Sequence, residues 1–215
     1  MPTPTEGYWL EPEHERIPGT TTITGRFKES GGLIYWAWKL GTEGKDYRKV
    51  KDEAASIGTI AHAMVEAFVH GVDFDPSPYD SQFLDRARRP YEAFLEWAGT
   101  HKFKVTDSEV KMISRVFRFG GTIDGCLIGG RRELADVKTS NAIYGDMLCQ
   151  IAAYRALWNE NHPDDQCAPG GHILRFDKET GDFHHAHYTD LDDAWEAFKH
   201  MRKLYDLMKK LDKRA

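Results

Sequence analysis

The sequence predicts an α/β protein: helices first, a mixed central β-sheet, then further helices flanking it. Three observations carry this. Residues 56–71, 80–99 and 144–160 repeat apolar side chains at helical spacing, and residues 104–140 switch to a period of two. Gly129-Gly130 sits between two of the alternating runs, where a hairpin turn belongs. With 215 residues, 40% hydrophobic and 29% charged, the chain suits one packed domain spanning 1–215. The six tryptophans argue against disorder.

The elements follow in order. Residues 1–19, rich in Pro, Thr, Gly and Glu, read as an irregular N-terminal arm. "TTTITGRF" fits a short strand or a helix entry. "GGLIYWAWKLG", 31–41, fits a buried helix closed by Gly41. "TEGKDYRKVKDEAAS" reads as loop and helix start. "SIGTIAHAMVEAFVHG", 56–71, places Ile57, Ile60, Ala61, Met64, Val65 and Phe68 on one helical face, with Gly71 as C-cap. Residues 80–99 form another helix. "KVTDSEVKMIS", "RVFRFGGTIDGCLIG" and "RELADVKTS" read as three strands. Residues 144–160 return to helix. "GHILRFDKETGDFHHAHY" is a hairpin with "DKETGD" at its tip, and a helix capped near Leu191 or Asp192 closes the chain.

Composition excludes several classes. The apolar runs are too short to span a bilayer. "MPTPTEGYWL" lacks the basic start and apolar run of a signal peptide, so a cytoplasmic location without membrane contact is expected. Cys126, Cys149 and Cys167 are odd in number and contain no CxxC, which fits buried free thiols rather than a disulfide framework or a cysteine metal site. A net charge of −5 disfavours a protein that coats nucleic acid with its whole surface, while leaving room for a local basic groove. The basic C-terminal helix reads as a solvated face.

The chemistry concentrates in "ELADVKTS". On a strand, Leu134, Asp136 and Lys138 share one face, and Ala135 and Val137 the other. Asp136 and Lys138 would then point together into a cleft. Asp124, on the preceding strand, sits opposite the Phe117, Phe119 and Ile123 face and can converge on Asp136 if the two strands pair. Two converging carboxylates repel in low dielectric unless a cation joins them. Oxygen ligands suit Mg²⁺ or Mn²⁺ rather than zinc. A lysine alongside suits phosphodiester hydrolysis, acting on the attacking water or on the phosphate charge.

The order "GTIDG", "ELADVKTS", "QIAAY" resembles the PD-(D/E)XK nucleases, in particular the RecB-type and phage-exonuclease branch. The likeness covers roughly residues 56–160 and implies a restriction-endonuclease-like core. It also implies Asp124, Asp136 and the Val137 carbonyl as metal ligands, with Lys138 acting on the attacking water. "GTIAHAMVE" supplies the helical histidine of that branch, His62. Glu66, four residues on, matches a helical acid that supports the metal through water. Gln150 and Tyr154, one helical turn apart, would steer Lys138 or contact the DNA backbone.

The resemblance implies a metal-dependent deoxyribonuclease, an exonuclease of recombination or repair. A structure-specific or restriction-like endonuclease and a catalytically dead nucleic-acid-binding module are the rival readings. The expected partner is DNA, at the ends of linear duplex or as a single strand, and either a homo-oligomer or a recombination partner protein is compatible with the chain. Action at an end is expected because no separate module for reading base edges is visible. Trp36 and Trp38 could stack on bases, although a core position suits them better. Glu133 is left out because it faces away from Asp136, and Glu109 could bind substrate or metal, although a surface role suits it better. His185 and His187 of "HHAH" share a strand face with no third ligand spaced near them, which fits a solvated hairpin.

Overall fold

The computed structural model describes residues 7–28, 31–177 and 182–214. The fold is α/β. In chain order the elements are β1 (Tyr8–Leu10), β2 (Glu15–Ile17), α1 (Thr20–Arg26), α2 (Gly31–Thr42), α3 (Tyr47–His70), α4 (Ser81–Thr100), β3 (Lys104–Ser114), β4 (Phe119–Ile128), β5 (Arg131–Glu133), β6 (Ala135–Thr139), α5 (Gly145–Asn161), β7 (Gly171–Phe176), β8 (Phe183–Tyr188) and α6 (Asp192–Asp212). Among the described residues, no helix is long and apolar enough to cross a membrane.

Hydrogen bonding divides the central strands into two three-stranded sheets, β3-β4-β5 and β6-β7-β8. The first is antiparallel throughout. In the second, β6 runs parallel to β7 and β8 returns antiparallel. The stretch "RELADVKTS" is therefore two strands, not one. The β4–β5 ladder ends at Cys126↔Glu133, and the chain then crosses at Leu134 to pair Ala135 with His172. Asp124 and Asp136 are not cross-strand partners as hairpin pairing would require. Belonging to different sheets, they nonetheless line one cleft.

Two cores hold the layers. One packs α5 and α6 against β4 and β7 through Phe119, Ile123, Leu157, Trp158, Ile173 and Phe198. The other packs α3 and α4 against β6 and β7 through Ile60, Val65, Phe94, Leu174 and Phe176. Strand β7 is buried along its whole length, as expected for a strand covered on both faces. Each such aliphatic or aromatic side chain contributes roughly 1.5–3 kcal/mol by leaving water. Trp158 is fully buried. Its indole N–H donates to the Asp165 carbonyl at 2.7 Å, and the Arg132 guanidinium lies 4.7 Å from its ring centre.

Several expectations change. The arm expected to be irregular over 1–19 forms a β1–β2 hairpin within residues 7–19; residues 1–6 lie outside the described set. Tyr8 of this hairpin covers Gly120, where an added Cβ would lie 2.3 Å from its ring. The Tyr8 hydroxyl is 3.1 Å from Thr122 Oγ1. Helix α2 forms and runs past Gly41, yet it is not buried: Ile34, Tyr35 and Trp38 are each more than 60% exposed. An apolar helix need not be a covered one, because apolar atoms make up much of any protein surface. Helix α3 begins at Tyr47, where the Asp46 side chain accepts from the Arg48 amide, nine residues before its apolar pattern becomes legible. Gly71 closes it at φ 65°, and Gly129 and Gly130 turn the β4–β5 hairpin with positive φ at both. Of the hairpin tip at 177–182, residues 178–181 lie outside the described set.

Candidate active site

Strand β6 delivers Asp136 and Lys138 to the cleft, as its period of two requires. Helix α5 places Gln150 and Tyr154 one turn apart, with Gln150 reaching Lys138. Strand β4 brings Asp124 from the other side, and α3 contributes His62 and Glu66. All of these line one cleft of about 130 Å³, together with Val137, Thr21, His70, Glu109 and Thr122.

The approach of α3 depends on Gly58. A Cβ there would lie 2.0 Å from Thr139 Cγ2, so only glycine lets this helix lie directly on β6. Counting by fours from Gly58, His62, Glu66 and His70 follow along the same helical face. His62 Nδ1 lies 3.3 Å from Glu66 Oε1. Burial holds the His62 imidazole below its usual pKa, with Glu66 working in the opposite direction. The carboxylate thus orients one ring nitrogen and leaves Nε2 as a donor atom.

A chain of polar contacts runs through the cleft. Lys138 Nζ lies 2.7 Å from Asp136 Oδ2 and donates to Gln150 Oε1 at 3.0 Å. Gln150 Nε2 donates to the Tyr154 hydroxyl at 2.9 Å. This fixes the amide orientation, since its oxygen faces an ammonium and its nitrogen a hydroxyl. Burial, with the Asp136 charge adding to it, pushes the Tyr154 phenol above its ordinary pKa, so the hydroxyl keeps its proton.

Asp136 Oδ2 is buried and accepts no hydrogen bond, although Lys138 is close. The two observations agree: the ammonium satisfies the charge of this oxygen without lining up a donor with its lone pairs. A buried carboxylate oxygen with unused lone pairs is a fitting position for a cation. With Asp124, the Val137 carbonyl and His62, the donor set is oxygen-rich and suits a hard divalent metal.

Asp124 is held by a feature the sequence does not announce. The β3–β4 register slips between Asp107 and Val110, leaving Ser108 and Glu109 opposite Asp124 as a bulge. The Glu109 amide donates to Asp124 Oδ1 at 2.7 Å. Glu109 itself has φ 51°, a left-handed conformation that costs a non-glycine residue roughly 1–2 kcal/mol. Glu109 is exposed, as a surface role requires, and it also lines the cleft, where its backbone amide orients one of the carboxylates. His70, which also lines the cleft, was missed as well, although its four-residue spacing from Glu66 could have found it.

A second group of ligand-type side chains lies away from the cleft. Glu133, His172 and His187 place one ligand atom each within 4.8 Å of the others, and such a Glu/His/His cluster can bind a metal. "HHAH" is not a plain solvated hairpin. His185 is partly buried beside Trp97, and burial and neighbouring imidazoles hold its pKa down to about 4. Glu133, excluded by its direction relative to Asp136, is buried here against His172. The three cysteines are free and buried.

No family model matches the chain, and no curated protein matches it. Solved structures do resemble it. A protein of Eubacterium rectale provisionally named an exonuclease superposes with a TM-score of 0.50 at 16% identity, over 69% of this chain and 64% of that one. This chain thus matches less than two thirds of that protein's length. A second structure, SSO0001, gives a TM-score of 0.35 at 12% identity over 73% and 74% of the two chains, too low to carry an argument. The likeness to the Eubacterium rectale protein is one of fold: an α/β nuclease-like core.

Proposed function

We propose that the chain is a metal-dependent deoxyribonuclease that uses Mg²⁺ or Mn²⁺ and degrades DNA from its ends. The observation that carries this reading is the contact chain Asp136–Lys138–Gln150–Tyr154 facing Asp124 in one cleft. The nuclease-like fold supports it. The finer assignment, to the RecB-type and phage-exonuclease branch of the PD-(D/E)XK nucleases and to recombination or repair, rests on the motif order.

In this reading Asp124, Asp136, the Val137 carbonyl and His62 hold the metal, and Glu66 orients His62 and supports the metal through water. The metal, when bound, polarises the scissile phosphate and acidifies water near it. Lys138 sets its ammonium against the negative charge that grows on phosphorus oxygens in the transition state, and offers a donor to the attacking water. Gln150 holds Lys138 in that position. Tyr154 anchors the Gln150 amide and keeps its hydroxyl proton for a backbone phosphate.

Action at ends is supported by what α2 offers. It exposes Tyr35 and Trp38, with ring centres 5.7 Å apart. Such rings stack on unpaired bases without reading sequence, whereas reading a duplex takes amide or guanidinium groups on base edges. The net charge of −5 further disfavours long residence on intact duplex.

The test is a closed circular duplex and the same molecule linearised, each with Mg²⁺ at moderate salt. Mononucleotides or short oligonucleotides from the linear form alone are expected. Discrete fragments from the closed circle would move the reading to a structure-specific or restriction-like endonuclease. Binding without turnover of any substrate would leave a catalytically dead nucleic-acid-binding module.

A further inference from the structure

The second cluster joins β5 to the β7–β8 hairpin. His172 and His187 are directly opposed across the β7–β8 ladder, with rings 4.2 Å apart and 4° from parallel. Glu133, at the end of β5, reaches the same place. Its Oε2 lies 2.5 Å from His172 Nε2 and 3.7 Å from His187 Nε2. His172 is paired in register with Ala135, so it lies on the face of β6 and β7 turned toward α4, and Asp136, the next residue, belongs to the other face. None of Glu133, His172 and His187 lines the cleft that holds Asp124 and Asp136.

Side chains of this kind are costly to gather without a reason. Glu133 and His172 are both less than 10% exposed, and burying a carboxylate against imidazoles needs a proton or a metal to balance it. We propose that Glu133, His172 and His187 form a second metal site, selective for Zn²⁺ or a similar imidazole-binding ion, which staples β5 to the β7–β8 hairpin.

The ligand atoms are gathered, but binding requires one ring to turn: stacked parallel rings aim their lone pairs side by side, and the exposed His187 must rotate so that its nitrogen converges with Glu133 and His172 on one ion. Zinc bonds to imidazole nitrogen and carboxylate oxygen at about 2.0–2.2 Å in a tetrahedral arrangement, which sets donor atoms about 3.4 Å apart. The Glu133–His187 separation of 3.7 Å is near this value. The Glu133–His172 pair, at 2.5 Å, must open by about an ångström as the ion replaces the proton it shares. His172 Nδ1 lies 2.8 Å from His185 Nε2. Once Nε2 is a ligand, Nδ1 carries the hydrogen and donates to His185, the outer contact that orients most metal-bound histidines. Trp97 and His101 pack behind His185, at ring-centre distances of 4.9 and 5.1 Å, and hold it in place. The fourth position is left to water on the side of His187, whose side chain is 41% exposed.

The experiment titrates metal-stripped protein with Zn²⁺ at saturating Mg²⁺, following the thermal midpoint, and with Co²⁺, following visible absorption. Wild type should gain several degrees with Zn²⁺ and show an intense tetrahedral Co²⁺ band. The Asp124→Asn/Asp136→Asn double variant should behave the same way. His187→Ala changes an exposed residue and should fold, yet bind Zn²⁺ at least about 10–100-fold more weakly, the loss that removing even an outer-shell partner produces. His185→Phe keeps the packing and should weaken binding by a smaller factor. A Zn²⁺ response that survives in His187→Ala, that vanishes with the cleft aspartates, or that brings no tetrahedral Co²⁺ band overturns the proposal. None of these readouts depends on nuclease activity, so failure here and failure of the nuclease reading are distinguishable.

Discussion

Gly58 and Thr139 meet with no room for a side chain between them: a Cβ on Gly58 would lie 2.0 Å from Thr139 Cγ2, but 3.2 Å from its Cβ and 3.4 Å from its Oγ1. One methyl group thus sets the distance between α3 and β6, and with it the reach of His62 and Glu66 over Asp136. Gly58→Ala should destabilise the protein by about 1–3 kcal/mol, the usual cost of overpacking, and should lower turnover by displacing α3. Thr139→Ser removes only the offending methyl. The double variant should recover stability and activity together, measured by urea denaturation and by nuclease assay. A Gly58→Ala protein as stable as wild type would show that α3 is not seated by this contact.

The cleft carboxylates separate charge balance from metal binding. Asp136→Asn takes away the partner of Lys138 at 2.7 Å. With side chains 14% and 19% exposed, the cost should be about 1–3 kcal/mol, below that of breaking a fully buried pair. Asp124→Asn keeps a side-chain oxygen for the Glu109 amide and should cost less. Wild type should gain about 2.7 kcal/mol at a Mg²⁺ concentration a hundred times the dissociation constant, and the double variant should gain none. Equal Mg²⁺-induced shifts in the two proteins would remove Asp124 and Asp136 from the metal site.

Alkaline stability follows from the thiols. Burial pushes Cys126 and Cys167 up to about 12 from 9.0. Between those values the native state holds protons that the unfolded state has lost. Their contribution is therefore complete below pH 9 and is lost progressively as pH rises towards 12, at up to about 1.4 kcal/mol per pH unit for each thiol. Cys126→Ala should start less stable, because a cavity is left, and then fall less steeply from pH 9 to 11 in urea denaturation. Parallel curves for the two proteins would mean that Cys126 titrates alike in both states.

Much of the cleft was legible in the sequence because its parts obey local periods. Asp136 and Lys138 share a face by strand alternation, His62 and Glu66 by helical spacing, and Gln150 and Tyr154 likewise. Gly71 and the Gly129-Gly130 pair marked their turns for the same reason, as each occupies a conformation other residues avoid. What escaped notice was set by tertiary pairing. The alternation of "RELADVKTS" continues unbroken through Leu134, so nothing local announces that the chain changes sheets there. The bulge at Ser108 and Glu109 has no glycine to mark it. Glu133 and His172 are 39 residues apart, and only the parallel β6–β7 register brings them together. Helix α2 was expected to be buried on composition alone, which says how apolar a helix is and not whether anything covers it.

Gln150 lies between Lys138 and Tyr154 in the cleft. It accepts from Lys138 and donates to Tyr154; its carbonyl oxygen, the one atom that could ligate a hard cation, is engaged by the Lys138 ammonium, and an amide transfers no proton at neutral pH. Its effect should therefore pass through Lys138. Lys138→Ala should lower kcat by about a hundredfold or more, the scale of a positioned proton-transfer or charge-stabilising group, with metal binding retained because an ammonium is no ligand. Gln150→Leu has similar bulk and leaves the ammonium with Asp136 alone, free to settle away from the phosphate; kcat should fall about tenfold to a hundredfold with KM little changed. In the Lys138→Ala/Gln150→Leu double variant the second change should cost almost nothing, because the group it positions is gone. Tyr154→Phe removes the acceptor for Gln150 and should reproduce a weaker form of the Gln150 defect, again only while Lys138 is present. Additive losses across this cycle would mean that Gln150 touches the DNA directly, and its role would then be substrate binding rather than the positioning of Lys138.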